Sequence, residues 1–173
     1  KYIFIDDEWQ GGRDSKNNII ADPVKFPNGI KAVADYVHSK GLKLGIYSDA
    51  AQLTCAGYTA SLGFEEQDAR TFASWGVDYL KYDYCNAPED SATARQRYRT
   101  MAEALQKSGR DIVLGICEWG SRNCEEWCEE VGGQLWRTTY DVRDMWKDIV
   151  KQGGRGILDI INETAPLHKY VRH

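Results

Sequence analysis

The feature that most constrains the fold of this sequence is its regular alternation of short apolar strand patterns with amphipathic helical patterns. Strand-like runs recur about every 30 residues, and a segment with apolar residues at helical spacing follows each of them. The strand patterns are 2–5, 42–47, 77–85, 111–118 and 135–141, and the helical patterns are 30–41, 65–75, 92–107, a short one containing Trp127 and Val131, and 142–151. This alternation predicts right-handed βαβ units around a parallel sheet.

Every one of these strand patterns ends in acidic residues, namely Asp6 with Asp7, Asp49, Asp83, Glu118 and Asp141. A single acid in such a place often only caps the next helix or begins a turn. Recurrence at five strand ends favours a closed barrel, in which all these ends meet at one mouth. An open doubly wound sheet would concentrate function at one switch point, usually with a glycine-rich phosphate turn, and the sequence has no such turn. We therefore predict a (β/α)8 TIM barrel.

The chain is short for that fold. A complete barrel needs roughly 250 residues, whereas these 173 residues supply five strands and the beginning of a sixth element. We expect residues 1–173 to form a partial (β/α)8 catalytic domain from a truncated sequence. The strand that begins directly after Lys1 makes the visible N-terminus look internal.

Composition excludes several classes of partner. The formal net charge is -4 and no Lys/Arg cluster is present, which argues against nucleic acid. No apolar run approaches the roughly 20 residues of a membrane span. The five cysteines form no CxxC pair, so no metal site is predicted. The composition therefore favours a small and neutral molecule as the partner.

The segment around Asp83 carries the strongest sign of chemistry. Period-two alternation puts Lys81 and Asp83 on one face of their strand, and a neighbouring cation is expected to keep the acid ionised. Such a carboxylate can act as a nucleophile if a second acid lies opposite it, and Asp141 at the end of the fifth strand pattern is the candidate. Arg137 shares the face of Asp141 by the same alternation.

The cysteines allow one further expectation. Cys55 and Cys85 both follow strand ends, where a disulfide could join two loops at the mouth. Cys124 and Cys128 stand one helical turn apart, and we interpret them as one free and one buried thiol. This usage favours an oxidising compartment.

Six ordered motifs resemble glycoside hydrolase family 27, the melibiase family of retaining α-galactosidases and α-N-acetylgalactosaminidases. They are Tyr2-Ile3-Phe4-Ile5-Asp6-Asp7 with Trp9, Leu42 to Asp49, Thr54-Cys55-Ala56-Gly57, Lys81 to Cys85, Cys117-Glu118-Trp119-Gly120 and Trp136 to Asp141. The resemblance runs nearly end to end and implies barrel strands 2 to 6. The local pattern of 156–161 predicts a strand, but the resemblance puts it in the segment before the seventh strand.

The resemblance also implies roles. Asp83 would be the nucleophile and Asp141 the acid and then the base, with no cofactor. Asp6, Asp7, Tyr47 and Lys81 match positions that hold the hydroxyls of the terminal sugar. Cys117, Glu118 and Trp119 match the loop at the sugar 2-position, where their bulk favours a free hydroxyl.

Three further expectations concern single residues of the pocket. Arg137 is expected to engage the sugar or the nucleophile more than Asp141, because a close cation would oppose protonation of the acid. Trp119 can stack on a sugar or pack in the core, and for Trp9 and Trp136 core packing is the favoured interpretation. Cys55 and Cys85 match the family's active-site disulfide, which implies a secreted or otherwise extracytoplasmic protein.

The leading hypothesis is thus an exo-α-galactosidase acting on α-galactoside carbohydrates. An α-N-acetylgalactosaminidase or a β-L-arabinopyranosidase remains open within the same family. A non-catalytic carbohydrate-binding or inactive barrel fragment is an alternative from another class, and a nucleotide-dependent doubly wound enzyme is a third that lacks any phosphate-binding signature.

Overall fold

The computed structural model describes residues 1–147 and 154–171. Its main sheet is parallel and has five strands in the order β1-β4-β5-β6-β7. Their bounds are β1 Tyr2–Phe4, β4 Lys43–Asp49, β5 Tyr79–Asp83, β6 Val113–Cys117 and β7 Leu135–Trp136. These strands lie side by side in chain order without a reversal, as in a barrel and unlike a doubly wound sheet. The prediction of five consecutive barrel strands is confirmed.

Helices connect the strands on the outer side of the sheet. Their bounds are α1 Gly29–Ser39, α2 Glu65–Trp75, α3 Ser91–Lys107 and α4 Ile157–Thr164, with 3-10 helices at Cys124–Glu126 and Ala165–Tyr170. Asp90 caps α3 by accepting a hydrogen bond from the Thr93 amide, and Gly76 ends α2 in the left-handed conformation that glycine adopts without strain. No helix in the described ranges combines the length and the apolar composition needed to cross a lipid bilayer.

The two faces of the sheet have different chemistry. Leu44, Ile46, Leu80, Leu114 and Ile116 are buried in the core against the helices. The alternate residues point to the inner side, where the Phe4 ring lies edge-on to the Tyr79 ring at 4.8 Å. A Cβ at Gly45 would overlap the Phe4 ring, so glycine there makes room for an aromatic layer inside the barrel. The core and the inner face therefore follow the period-two pattern of the strands.

A small antiparallel pair, β2 Gln10–Arg13 and β3 Ile19–Ala21, lies between β1 and α1 and was not predicted. Arg13 fastens it to α2 through two hydrogen bonds to Asp68, at 2.7 and 2.8 Å. Gly11 permits the close approach of this pair, because a Cβ there would overlap the Ala21 carbonyl.

The sequence predictions fail towards the C-terminus. The strand expected over 135–141 pairs only at Leu135–Trp136. The helix expected over 142–151 is absent from its described part, 142–147, because the backbone there pairs with Arg155, whose N–H donates to the Asp141 carbonyl. Residues 148–151 lie outside the described residues. The strand read locally over 156–161 is wrong, since Ile157, Ile160 and Ile161 belong to α4 at helical spacing. The short helix expected around Trp127 and Val131 is a 3-10 helix at Cys124–Glu126 followed by turns.

A buried ion cluster joins α1, β4 and β5 at the opposite end of the strands from the acidic residues. Asp78 accepts hydrogen bonds from Arg110 at 2.6 Å and from the Leu44 amide at 2.8 Å, and it lies 2.7 Å from His38 Nε2. Burial acts to raise the pKa of Asp78, but these hydrogen bonds outweigh it and hold the pKa below its ordinary value.

We expect Asp78→Asn to lower the free energy of unfolding by about 2 kcal/mol at neutral pH, because it removes a buried carboxylate whose partners His38 and Arg110 are partly screened by solvent. A carboxylate with a lowered pKa stabilises above its unfolded pKa, so the loss should shrink as the pH falls below about 4. Urea denaturation across that pH range measures it. Asp35→Asn, which removes an exposed partner of Lys31, is the control and should cost less than about 1 kcal/mol. An equal loss in both variants would contradict the prediction.

Candidate active site

The predicted site residues meet at the C-terminal edge of the parallel sheet. Register sets two levels of inward side chains: Tyr47 pairs with Lys81, and one level higher Asp49 pairs with Asp83, which in turn pairs with Cys117. The loops after β1, β6 and β7 add the remaining candidates, Asp6, Asp7, Trp119, Arg137 and Asp141. The spacing of the motifs in the sequence thus becomes a compact group of polar side chains at one end of the strands.

Asp83 is the acid that faces this mouth from β5, and it is buried, with 4% of its surface exposed. Tyr47 donates a hydrogen bond to its Oδ2 at 3.1 Å, and the Tyr84 amide donates to its Oδ1 at 2.9 Å. Burial raises the pKa of Asp83 above its ordinary value, while these bonds and the charge of Lys81 lower it by less. Lys81 acts in the expected direction, since its charge lowers the pKa of Asp83 and favours the ionised form, but desolvation is the larger effect on that pKa.

Lys81 pairs with Asp6 instead, at 2.8 and 3.1 Å from the two carboxylate oxygens. Burial acts to lower the pKa of Lys81, but the hydrogen bond to Asp6 and the nearby negative charges raise it overall. Its ammonium also lies 5.0 Å from the centre of the Tyr47 ring. The adjacent Asp7 accepts a hydrogen bond from the Ala56 amide at 3.0 Å and so holds the loop after β4.

That loop carries the disulfide between Cys55 and Cys85, which confirms the expected pairing. The bond joins the loop after β4 to the residue two positions beyond Asp83. The Tyr47 hydroxyl lies 3.1 Å from Cys55 Sγ, so the disulfide forms part of the wall around the buried acid.

Asp49 is a site residue that the sequence reasoning did not select. It is fully buried, and its Oδ2 accepts a hydrogen bond from the Cys85 amide at 2.9 Å. Burial, opposed only partly by that bond, raises the pKa of Asp49 to about 8, so it carries a proton at neutral pH. Its alternation with Tyr47 was the available signal, since it puts both residues on the face that bears Asp83.

The acidic and sulfur atoms of Asp49, Cys55, Asp83 and Cys85 lie within 4.8 Å of one another. Such a cluster has the donor types of a zinc site. The two sulfurs are bonded to each other, however, and a disulfide offers no thiolate ligands. The cluster is therefore a packed corner of the pocket rather than a cation site.

The last residue of β6 and the first residue after it point to opposite sides of the sheet. Cys117 is buried beside Asp83 on the inner side, where burial and the neighbouring negative charge raise the pKa of its thiol. Glu118 alternates with Cys117 and is buried on the helix side, where it pairs with Arg122 at 2.6 Å. The structure does not bring Glu118 together with the other predicted sugar-binding residues, because one step along a strand reverses the side-chain direction.

The three candidate tryptophans lie in different surroundings. Trp9 is buried, packs 5.6 Å from Trp75, and donates from Nε1 to the Tyr47 carbonyl at 2.8 Å, so it supports the pocket from the core. Trp136 is partly buried against the core. Trp119 is half-buried and stacks on Tyr140, with ring centres 6.3 Å apart and planes 12° from parallel.

Asp141 and Arg137 form an ion pair, with Arg137 Nη1 2.6 Å from Asp141 Oδ1. The expectation that Arg137 engages something other than this acid is wrong in the structure. The chain turns after Trp136, and Arg137 also donates to the Thr139 carbonyl at 3.1 Å and to Cys117 Sγ at 3.8 Å, so the guanidinium joins its own loop to the end of β6. The side chain of Asp141 is 74% exposed.

The remaining cysteines lie apart from this chemistry. Cys124 and Cys128 are both free thiols and both buried, so the expectation of one free and one buried thiol describes them only in part. The hydrogen bond with Cys124, together with burial, raises the pKa of Cys128 and keeps it an unreactive thiol.

The arrangement offers two carboxylic acids in contrasting surroundings. Asp83 is enclosed and hydrogen-bonded, whereas Asp141 is exposed and held by an arginine. A hydroxyl group from Tyr47 and the ion pair of Lys81 with Asp6 lie beside Asp83. Glycoside hydrolysis uses two carboxyl groups with different roles, and the contrasting surroundings of these two acids suit that chemistry.

Comparison with known proteins agrees with this chemistry. The family model described as Alpha galactosidase A, of the melibiase type, matches residues 1–164. The alpha-galactosidase A of Cellvibrio japonicus is 49% identical over 173 residues, which are 98% of this chain and 42% of that protein. The alpha-galactosidase of Coffea arabica is 53% identical over 154 residues, which are 88% of this chain and 40% of that protein.

A solved structure agrees as well. The alpha-galactosidase of Saccharomyces cerevisiae, solved with raffinose, superposes with a TM-score of 0.92 at 37% identity, covering 99% of this chain and 41% of that one. The chain thus spans about two fifths of the length of these relatives.

We expect Asp49→Asn to flatten the pH dependence of stability. The native pKa of about 8 lies far above the ordinary value of 3.8, so the native state holds a proton that the unfolded state lacks. The free energy of unfolding should therefore fall as the pH rises between about 4 and 8, and the amide should remove that contribution. Urea denaturation at several pH values measures the slope. The exposed Asp111→Asn is the control and should keep the wild-type slope; an unchanged slope in Asp49→Asn would refute the assignment.

Proposed function

Because this chain belongs to the alpha-galactosidase A family of glycoside hydrolases, we propose that it carries the two catalytic acids of a retaining exo-α-galactosidase. The observation that carries the proposal is the pair of acids at the mouth, Asp83 at the end of β5 and Asp141 in the loop after β7. The substrate would be a carbohydrate with a terminal α-linked galactose, and the relative from Saccharomyces cerevisiae was solved with raffinose.

In this proposal Asp83 attacks the anomeric carbon. The bond to the departing oxygen breaks as the carboxylate oxygen forms a galactosyl ester with inverted configuration. Tyr47 supports this role, because its hydroxyl holds one oxygen of Asp83 and the Tyr84 amide holds the other. The proton on Asp49 also helps, since it keeps a second negative charge away from the nucleophile at neutral pH.

Asp141 gives its proton to the departing oxygen and then takes one from the water that hydrolyses the ester. The second attack inverts the carbon again, so the α configuration is retained. The exposure of Asp141 suits exchange of protons with water between the two steps. Arg137 orients the carboxylate through a charge-assisted hydrogen bond rather than binding the sugar.

Recognition of the sugar would fall to the charged and hydroxyl groups beside the nucleophile. Asp6 and Lys81 form a pair at the mouth and can exchange their mutual bond for bonds to sugar hydroxyls. Asp7 lies beside them and holds the loop after β4. Cys117 and Trp119 border the side expected to face the 2-position, where their bulk suits a hydroxyl better than an N-acetyl group.

The rest of the pocket would come from further barrel strands, since the chain spans about two fifths of its relatives. The disulfide beside the nucleophile supports an extracytoplasmic setting, because such bonds persist in oxidising compartments. Neither cofactor nor nucleic acid has a role in this chemistry.

The roles of the two acids can be separated with azide in the intact protein. On p-nitrophenyl α-galactoside, we expect Asp83→Gly to be inactive until azide occupies the vacated face, displaces p-nitrophenolate and yields β-galactosyl azide. Asp141→Gly should still form the galactosyl ester, because this leaving group needs little protonation, and azide should then displace Asp83 to yield α-galactosyl azide. Without azide, removal of the acid and base should cost about 10²- to 10⁴-fold in turnover.

The configuration of each azide product, read by NMR, decides the assignment. Exchanged configurations would reverse the two roles, and no product from either variant would reject catalysis by these acids. The same assay on p-nitrophenyl α-N-acetylgalactosaminide and β-L-arabinopyranoside tests the two related activities. Residues 1–173 alone should be assayed beside the intact protein, and binding of galactose without turnover by the intact protein would favour the non-catalytic alternative.

A further inference from the structure

The loop that follows β6 holds a backbone conformation that needs support. Trp119, Arg122 and Asn123 all have positive φ angles, of 55°, 57° and 50°. For Trp119 and Arg122 this left-handed conformation is strained, whereas asparagine adopts it more readily. Such strain persists only where surrounding contacts enforce it, so the contacts of this loop identify what holds Trp119 at the mouth.

Arg122 supplies most of those contacts. Its guanidinium donates to Glu118 Oε2 at 2.6 Å and to the Glu89 carbonyl at 2.9 Å, and it lies 3.3 Å from the Glu89 carboxylate. It also lies 4.8 Å over the ring of Tyr84, the residue directly after the nucleophile. The Arg122 carbonyl accepts a bond from Trp127 Nε1 at 2.9 Å. One side chain therefore ties the loop after β6 to the loop after β5.

Glu118 depends on this arginine. Its carboxylate is fully buried, with Arg122 as its ion-pair partner and the Tyr98 hydroxyl beside it. Burial raises the pKa of Glu118 to about 7, and Arg122 acts in the opposite direction. Without Arg122 the carboxylate would be buried and unpaired, which is among the costlier arrangements in a protein.

The contacts of Arg122 also extend to the loop after β7, which carries Asp141. Trp119 directly follows Glu118 and stacks on Tyr140, which directly precedes Asp141. Gly120 lies so close to the Thr138 carbonyl that a Cβ there would overlap it. A displacement of Glu118 would therefore move the Trp119 ring and the contact between the loops after β6 and β7.

We propose that Arg122 is a positioning residue, which clamps Glu118 so that Trp119 is held against the sugar 2-position and the pocket favours a free 2-hydroxyl. This inference rests on the proposed α-galactosidase function. Glu118 then has a role that its burial permits, because this residue acts through the backbone of Trp119 rather than by touching the sugar.

The test uses Arg122→Met in the intact protein, which keeps the apolar stem and removes the donors. We expect kcat/KM for p-nitrophenyl α-galactoside to fall about tenfold, the effect of roughly 1.4 kcal/mol. The KM should rise, and the preference for the galactoside over p-nitrophenyl α-N-acetylgalactosaminide should fall by a similar factor. Arg99→Met, which removes a surface partner of Glu130, is the control and should leave both values unchanged.

A second variant separates positioning from folding. In Arg122→Met with Glu118→Gln no unpaired charge remains buried, so stability should recover while the substrate preference stays altered. Recovery of the preference together with stability, or a preference unchanged in both variants, would overturn the proposal.

A readout independent of turnover is hydrogen exchange of residues 118–123, which should accelerate in Arg122→Met and not in Arg99→Met. A wild-type protein inactive on both substrates would refute the proposed function, whereas an active one with unchanged exchange and preference in Arg122→Met would refute only the clamp.

Discussion

The buried carboxyl group of Asp83 is the feature around which the rest of this site is organised. A charge in so enclosed a position is unfavourable unless hydrogen bonds and compensating charges surround it. Tyr47 and the Tyr84 amide provide the bonds, and Lys81 provides a positive charge that Asp6 shares. Even so, burial dominates and the pKa of Asp83 is raised. Small changes of nearby charge therefore act strongly on the carboxyl group of Asp83.

That sensitivity explains the surroundings of the neighbouring acids. Asp49 lies close to Asp83 and is kept protonated by burial, while Glu118 lies on the far side of the sheet with Arg122 as its partner. Asp141 is exposed and paired with Arg137. Each acid near the mouth is therefore neutralised, paired or exposed to water, and the site avoids several unpaired negative charges together.

Period-two alternation in the central strands predicted much of this arrangement. The pairing of Tyr47 with Lys81, and of Asp83 with Cys117, follows from a parallel register. The same rule, applied one residue further, separates Cys117 from Glu118, and the sequence reasoning did not apply it there. The pairing of Arg137 with Asp141 was not predictable by alternation, because the strand stops at Trp136 and a turn brings the two together.

Other features depended on contacts distant in sequence. Burial is the largest cause of the raised pKa of Asp49, and the negative charges of Asp83 and Asp7 add to it. No local pattern reports how deeply a residue will be enclosed. The segment 156–161 has an apolar run too short to separate strand from helix, and it became α4. The disulfide was anticipated by resemblance, since five cysteines in the sequence leave many pairings open.

The edges of the sheet bear on how such a site can work. Phe4 in β1 is 48% exposed and Leu135 in β7 is 56% exposed, although their strands flank the most buried part of the core. Apolar side chains at open strand edges favour pairing with further strands. Pairing there would also cover the aromatic layer of Phe4 and Tyr79 beneath the mouth, and a covered layer would exclude water from below Asp83. Asp83 is already enclosed within residues 1–173, so pairing at these edges would extend its low-dielectric surroundings rather than create them.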